Sequence, residues 1–407
     1  LSLRRLNVRS VIRLTFILAC FAASPAPAAD DEFSDFIADV SREAAQKGLA
    51  AHHLRALAEL TPDPEVLRLA ARQPEYVKPI WAYLLQMVTP KRIALGRAQL
   101  AEREVFLGAL EEKYGVPREI LVAIWGVETN YGSNKGSHSV LQALATLGYT
   151  GKRADFGRQQ LLSALQILQS GDVALQDFKG SWAGAMGHTQ FIPTTYEGYA
   201  VDGSGDGVRD IWTEPEDALA SSAHYLKRMG WRRDLDWGFE VRVPDDFDFS
   251  LAKLKQPKPA AFWRESGVQV LFSERRAREI TDGLGDLSLF APTGARGPMF
   301  LVTRNFRALL RYNSAPAYAL AVAHLSERFI GAAPFVIAWP MADRPLLPKE
   351  IAAMQRGLLA SGFDTGDVDG VLGSQTRAAV RAYQKARGLT VDGYATPGIL
   401  TELQNAK

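Results

Sequence analysis

The chain carries one cysteine, Cys20, among 407 residues. A lone thiol supports neither an internal disulfide framework nor a Cys-based zinc site, so the fold has to rest on apolar packing. Histidine is also scarce, and no HExxH pair, GxSxG elbow or phosphate-cradling glycine loop occurs. Metalloprotease, serine-hydrolase and nucleotide-enzyme chemistry therefore lack their signatures. Charge of one sign is not in excess: 47 Lys and Arg against 45 Asp and Glu leave a formal +2. No long basic run follows the N-terminal segment, which sets nucleic-acid binding aside. The N-terminal apolar run is too short to span a bilayer.

What is present is ample apolar material, 47% of residues, enough for two or three domains with sizeable cores. Residues 1–29 read as a signal peptide. Arg4, Arg5, Arg9 and Arg13 precede the apolar Leu14–Ala23, and Ala26-Pro27-Ala28-Ala29 precedes acidic Asp30-Asp31. The expectation is a soluble periplasmic protein. Ile17-Leu18-Ala19-Cys20 also resembles a bacterial lipobox, which would leave Cys20 as an outer-membrane lipid anchor.

The following pattern is mainly α, with Phe33, Phe36, Ile37 and Val40 at helical spacing. Single helices are expected over Arg92–Leu110 and Asn305–Phe329, and others over Ser139–Leu147, Phe156–Ser170 and Asp217–Met229. Residues 232–302 read as a small inserted β-sheet, with strands at Trp237–Val243, Leu287–Ala291 and Met299–Val302. Proline-rich 332–346 reads as a linker, and 347–407 as a three-helix module bearing two similar loops, each containing Val-Asp-Gly.

Two stretches carry chemistry. In Gly115–Gly132 an apolar run, Ile120–Val127, delivers one carboxylate, Glu128, at a helix end. Pro117 suits the first helical position. Loss of water and the negative end of the helix dipole both favour the protonated acid there. Such a proton donor suits glycosidic cleavage; a solvated Glu at a helix end is the plain alternative. The second stretch is SWAGAMGHTQFIPTTY, Ser181–Tyr196. Its glycines would let a bulky polymer approach the backbone. Ser181 and Gln190 offer hydrogen bonds, and Trp182, Phe191 and Tyr196 offer flat faces for sugar rings. His188 is expected to hydrogen-bond sugar or peptide.

These motifs, with Asp202-Gly203-Ser204-Gly205-Asp206-Gly207, Ile211-Trp212 and Arg311-Tyr312-Asn313…Tyr318-Ala319, closely resemble the B-type lytic murein transglycosylases over residues 30 to about 330. The tail is similar to a short peptidoglycan-binding domain. The resemblance implies a lysozyme-like helical catalytic domain over 30–331 acting on peptidoglycan glycan strands. It implies Glu128 as sole catalytic acid and base, with Ser181, Gln190, Phe191, Tyr225, Tyr312, Asn313 and Tyr318 binding substrate. The product would be a 1,6-anhydro-muramyl end, and the chain would act as a monomer without a required cofactor. Asp202, Ser204 and Asp206 follow the opening of an EF-hand, and some relatives of that family bind calcium there. The twelfth position is Thr213, and Glu214 comes one residue late. The loop is thus read either as a calcium site or as a turn that places Trp212. Two rival functions remain: a hydrolytic muramidase, with Asp155 or Asp177 as second carboxylate, and a non-catalytic wall-binding protein.

Overall fold

Two helical cores meet along one seam in the computed structural model, which describes residues 29–71, 78–271 and 279–405. Cys20 and the expected leader through residue 28 lie outside the described residues. One core gathers the helices Glu104–Tyr114, Arg118–Thr129, Pro215–Arg228, Arg304–Tyr312 and Pro316–Phe329. The other gathers Ala29–Gln46, Val140–Tyr149, Ala154–Ser170 and Pro193–Tyr199. Tyr225 and Tyr312 pack against both cores, so the seam runs between those two rings.

The Arg118–Thr129 helix shows why its sequence reads as a core element. Ile120 through Trp125 are all buried, so the helix is apolar on every side there. Pro117 sits just before the helix as its cap (φ −56°, ψ 135°), one residue earlier than expected. At the other end Asn130, Tyr131 and Gly132 all turn left-handed, with φ of 49°, 59° and 82°. That turn folds Tyr131 back between two helices. Its hydroxyl donates to the carbonyl of Arg92 at 2.6 Å. The fit requires glycine on both sides. A Cβ at Gly126 would lie 2.7 Å from the Tyr131 hydroxyl, and one at Gly96 would collide with the Phe329 ring.

Two expected helices are each split. Pro90–Glu102 ends at Arg103, and Glu104–Tyr114 follows. Tertiary contacts hold the break: Arg103 pairs with Glu216 at 3.2 Å and lies over the Trp125 ring. Asn313–Ala315 likewise separates Arg304–Tyr312 from Pro316–Phe329, with Pro316 opening the second helix.

The inserted sheet has five antiparallel strands in the spatial order Lys258–Pro259, Asp286–Phe290, Met299–Val302, Gly238–Arg242, Gln269–Val270. Phe239 faces Leu301, and Leu289 faces Leu301 from the other side. Alternation buries both faces. Phe290, Phe300 and Val302 join the first helical core, while Phe239, Val241, Leu287, Leu289 and Leu301 close over Trp263.

Residues 332–346 hold no helix or strand, yet they are no free tether. Glu240 accepts the backbone N–H groups of Val336 at 2.6 Å and Ile337 at 2.8 Å. Phe335 and Trp339 pack on the first core. Beyond them, Pro348–Ala360, Ser374–Ala386 and Pro397–Asn405 build the terminal helical module around Met354, Leu358 and Val380. Its two similar loops have the same bonding. Gln355 spans Asp369 and the N–H of Gly370, and Gln384 spans Asp392 and the N–H of Gly393.

Candidate active site

Glu128 is the last residue but one of its helix, and its side chain enters the seam. The Tyr318 hydroxyl donates to its Oε1 at 2.7 Å. Burial raises the carboxyl to about 7, against the smaller pull of that hydrogen bond toward the ionised form. The residue is half-buried, open enough for a ligand to reach it.

Three tyrosines from three other helices surround the acid. Tyr318 lies nearly parallel to Tyr312, with ring centres 6.4 Å apart and planes 9° apart. Tyr312 donates to the carbonyl of Thr189 at 2.7 Å; with that proton engaged, the Ser222 hydroxyl donates to Tyr312 across 3.2 Å. Tyr83, from the Ile80–Met87 helix, is pushed to about 12 by burial and by the charge of Glu128. The sequence does not single out Tyr83 or Ser222 as site residues. Neither carries a local signal, because their partners lie far along the chain.

The helix end is locked to the second stretch. Thr129 donates to the carbonyl of His188 at 2.6 Å and accepts the N–H of Gly132 at 3.0 Å. Trp125 donates its indole N–H to His188 Nδ1 at 3.0 Å. His188 therefore faces the Trp125 indole and is buried, in place of the expected contact with sugar or peptide. Burial, aided by the Lys135 charge, lowers it to about 4, and its neutral ring braces the acid-bearing helix.

The loop itself departs from expectation in two ways. Its glycines admit protein rather than polymer: at Gly184 a Cβ would strike Leu144, and at Gly187 the Ile211 carbonyl. Among the aromatics, Tyr196 is fully buried and donates to the carbonyl of Arg209 at 2.8 Å. Phe191, 2% exposed, is a floor beneath Tyr225 and Tyr312 rather than an open sugar platform. Trp182 is half-buried against Val66, Ala143 and Leu147. A cavity of about 160 Å³ above that floor is lined by Gln190, Phe191, Ile192, Thr195, Tyr225, Arg311 and Tyr312.

The other expected side chains are distributed along the same seam. Gln190, at φ 55°, donates its amide to the carbonyls of Gly187 and Lys135. Ser181 accepts the N–H groups of Ala183 and Ala185. Neither bonds Glu128. Tyr225 donates to the carbonyl of Arg311 at 2.6 Å. Asn313 is exposed, and its oxygen accepts the N–H of Ala315. Asp155 and Asp177 are both exposed, and among the described residues burial and Tyr318 are what act on Glu128.

The Asp202 loop offers the oxygen chemistry of a hard cation site but closes on itself. Asp202 accepts the N–H groups of Gly205 and Gly207. Asp217 accepts those of Gly203, Ser204 and Asp210. Glu214 Oε2 is enclosed without a partner. Ser204's hydrogen bond pulls its carboxyl down, while burial and the charges of Asp206, Asp217 and Asp210 carry it up overall. Among the described residues no three acidic, histidine or cysteine side chains gather as a cage.

Residues 32–327 match the Transglycosylase SLT domain family, and residues 348–403 match a peptidoglycan binding domain family. Over 253 residues the chain is 40% identical to membrane-bound lytic murein transglycosylase B of Escherichia coli, covering 60% of this chain and 66% of that protein. It is similar to a crystal structure of SltB3 from Pseudomonas aeruginosa in complex with NAG-anhNAM-pentapeptide. That match has a TM-score of 0.86 and 47% identity, over 91% of this chain and 99% of the other. The lytic transglycosylase Slt35 of Escherichia coli in complex with calcium matches with a TM-score of 0.61 and 28% identity, over 74% and 94% of the two chains. The chain thus belongs to the Transglycosylase SLT domain family, lysozyme-like in its helical body and extended by a terminal peptidoglycan binding domain.

Proposed function

We propose that the chain is a lytic transglycosylase that cleaves the β-1,4 bond between N-acetylmuramic acid and N-acetylglucosamine in peptidoglycan without hydrolysis. The observation that carries this reading is a carboxyl in the seam, held protonated near neutral pH, with no second acid among the described residues acting on it. Glycosidases that use water ordinarily need two carboxylates. Here Glu128 gives its proton to the leaving oxygen and becomes a carboxylate. The Tyr318 hydroxyl, which donates to Oε1, stabilises that anion. The carboxylate then takes the proton of the sugar's own 6-hydroxyl as the 1,6-anhydro ring closes. Because that hydroxyl is tethered, the effective concentration is high and ring closure outruns water.

Ser181, Gln190, Tyr225, Tyr312 and Asn313 are assigned to the walls of the glycan groove, with Phe191 beneath. Residues 30–331 form the catalytic unit and 347–407 a wall-binding module that raises local concentration on the polymer. Export by the N-terminal segment places the enzyme in the periplasm as a soluble monomer, the Cys20 anchor being the alternative. For the Asp202, Ser204 and Asp206 loop, whose first carboxylate already accepts backbone N–H groups, the alternative to a turn that places Trp212 is a calcium site, a stabiliser and not a reactant. A calcium-dependent rise in Tm that Asp202→Asn abolishes supports this; indifference to calcium removes it.

Mass spectrometry of digested sacculi tests the reaction. Anhydro-ended muropeptides, one water lighter than hydrolysis products, are expected. Reducing ends would make the enzyme a muramidase, and no release at all would leave a wall-binding protein.

A further inference from the structure

The Arg304–Tyr312 helix reads RNFRALLRY, which sets Arg304, Arg307 and Arg311 at i, i+3 and i+7. They therefore share one face, while Phe306 and Leu309 are buried in the core on the other. With Arg232 they line a cavity of about 300 Å³, which also includes Met229 and Asp286. Four guanidinium groups thus meet one carboxylate. None of the four arginines forms an ion pair among the described residues. Arg307 Nη1 is shielded from solvent and has no hydrogen-bond partner. Burial and the neighbouring Arg304 charge hold Arg307 below the usual arginine range. Unlike an ordinary solvated basic face, this wall concentrates like charge in a concavity and leaves a fork-shaped donor unused.

The cavity neighbours the sugar groove at Arg311, which lines both. The Tyr225 hydroxyl is tied to the Arg311 carbonyl, and Tyr312 follows in sequence beside Glu128's own partner Tyr318. A glycan branch leaving the groove on the Arg311 side would meet the arginine face. In peptidoglycan those branches are stem peptides with free carboxylates, which guanidinium forks bind in bidentate fashion.

We infer that the Arg232, Arg304, Arg307 and Arg311 cavity is a carboxylate-reading subsite for the stem peptide, making the enzyme selective for peptide-bearing glycan. This rests on the peptidoglycan reading above. The test compares wild type, exposed-site Arg304→Gln, and Arg304→Gln with Arg307→Gln, on peptide-bearing strands and on strands stripped of peptide by an amidase. Wild type is expected to prefer the former. The double variant is expected to lose roughly ten-fold in kcat/KM on peptide-bearing strands, and Arg304→Gln a smaller part, with turnover of stripped strands unchanged. The preference of wild type should also fade in high salt. Equal losses on both substrates, or none on either, overturn the subsite while leaving the glycan reaction standing. Failure of wild type to cut either substrate would instead overturn the reaction. Calorimetry of free stem tetrapeptide with Glu128→Gln then decides the subsite alone. Binding lost on adding Arg304→Gln and Arg307→Gln supports it; no binding, or binding matched by inorganic phosphate, overturns it.

Discussion

Two glutamates on the first helical core, Glu128 in the seam and Glu240 in the inserted sheet, are both pushed up by burial. Their surroundings differ in two respects. Glu240 is 9% exposed and closed under residues 335–337, with two backbone N–H groups fixed on its two oxygens. Glu128 has one hydroxyl donor and an open side. A raised carboxyl is thus not by itself a catalyst. Catalysis needs a free oxygen lobe and a path for substrate, and only the seam supplies both.

The strongest way to break this comparison is to neutralise each carboxyl in turn. Glu128→Gln should lower sacculus clearing roughly a thousand-fold while binding to sacculi persists. Glu240→Gln should leave the rate near wild type but cost about 1–3 kcal/mol in denaturant unfolding, because a buried backbone N–H loses its acceptor. Similar activity losses from both would dissolve the distinction. Next in size, Tyr318→Phe removes the donor that favours the ionised acid. Activity should fall roughly ten-fold, and the alkaline limb of the pH profile, set by loss of the Glu128 proton near 7, should move upward. A limb that moves down would reverse the role given to Tyr318. Gly96→Ala, which pushes on Phe329 and Tyr131 behind the acid-bearing helix, should cost roughly 1–3 kcal/mol in stability.

The smallest effect concerns pH and stability. Folding raises the Glu128 carboxyl from an ordinary 4.5 to about 7, so the folded state binds the proton more tightly between those values. Its contribution to stability is full below about 4.5 and is lost as pH rises through about 7. Glu128→Gln should therefore flatten part of the decline of Tm across that window. Glu240→Gln should flatten another part, since that acid is raised in the same direction.

Much of this was legible in the chain order of residues. Glu128 stood out because an unbroken apolar helix ends on it, and the alternation over Trp237–Val243 with the short apolar run Met299–Val302 announced a sheet. What escaped was set by contacts between distant segments. Tyr83 reaches Glu128 across 45 positions of chain, and its neighbours Trp81 and Leu84 really are core. His188, Phe191 and Tyr196 looked like cleft residues because glycines flank them. Those glycines instead admit Leu144 and Ile211, turning the ring-bearing side inward. The three arginines of RNFRALLRY share a face plain in the sequence, but only the fold joins Arg232 to them.

Carbon-detected NMR titration of the glutamate carboxyls in the intact protein, with Glu128→Gln to identify the resonance, tests the central claim most directly. A carboxyl that loses its proton near 7, and later still in Tyr318→Phe, is the predicted result. Titration near 4.5, like any hydrated glutamate, would contradict it.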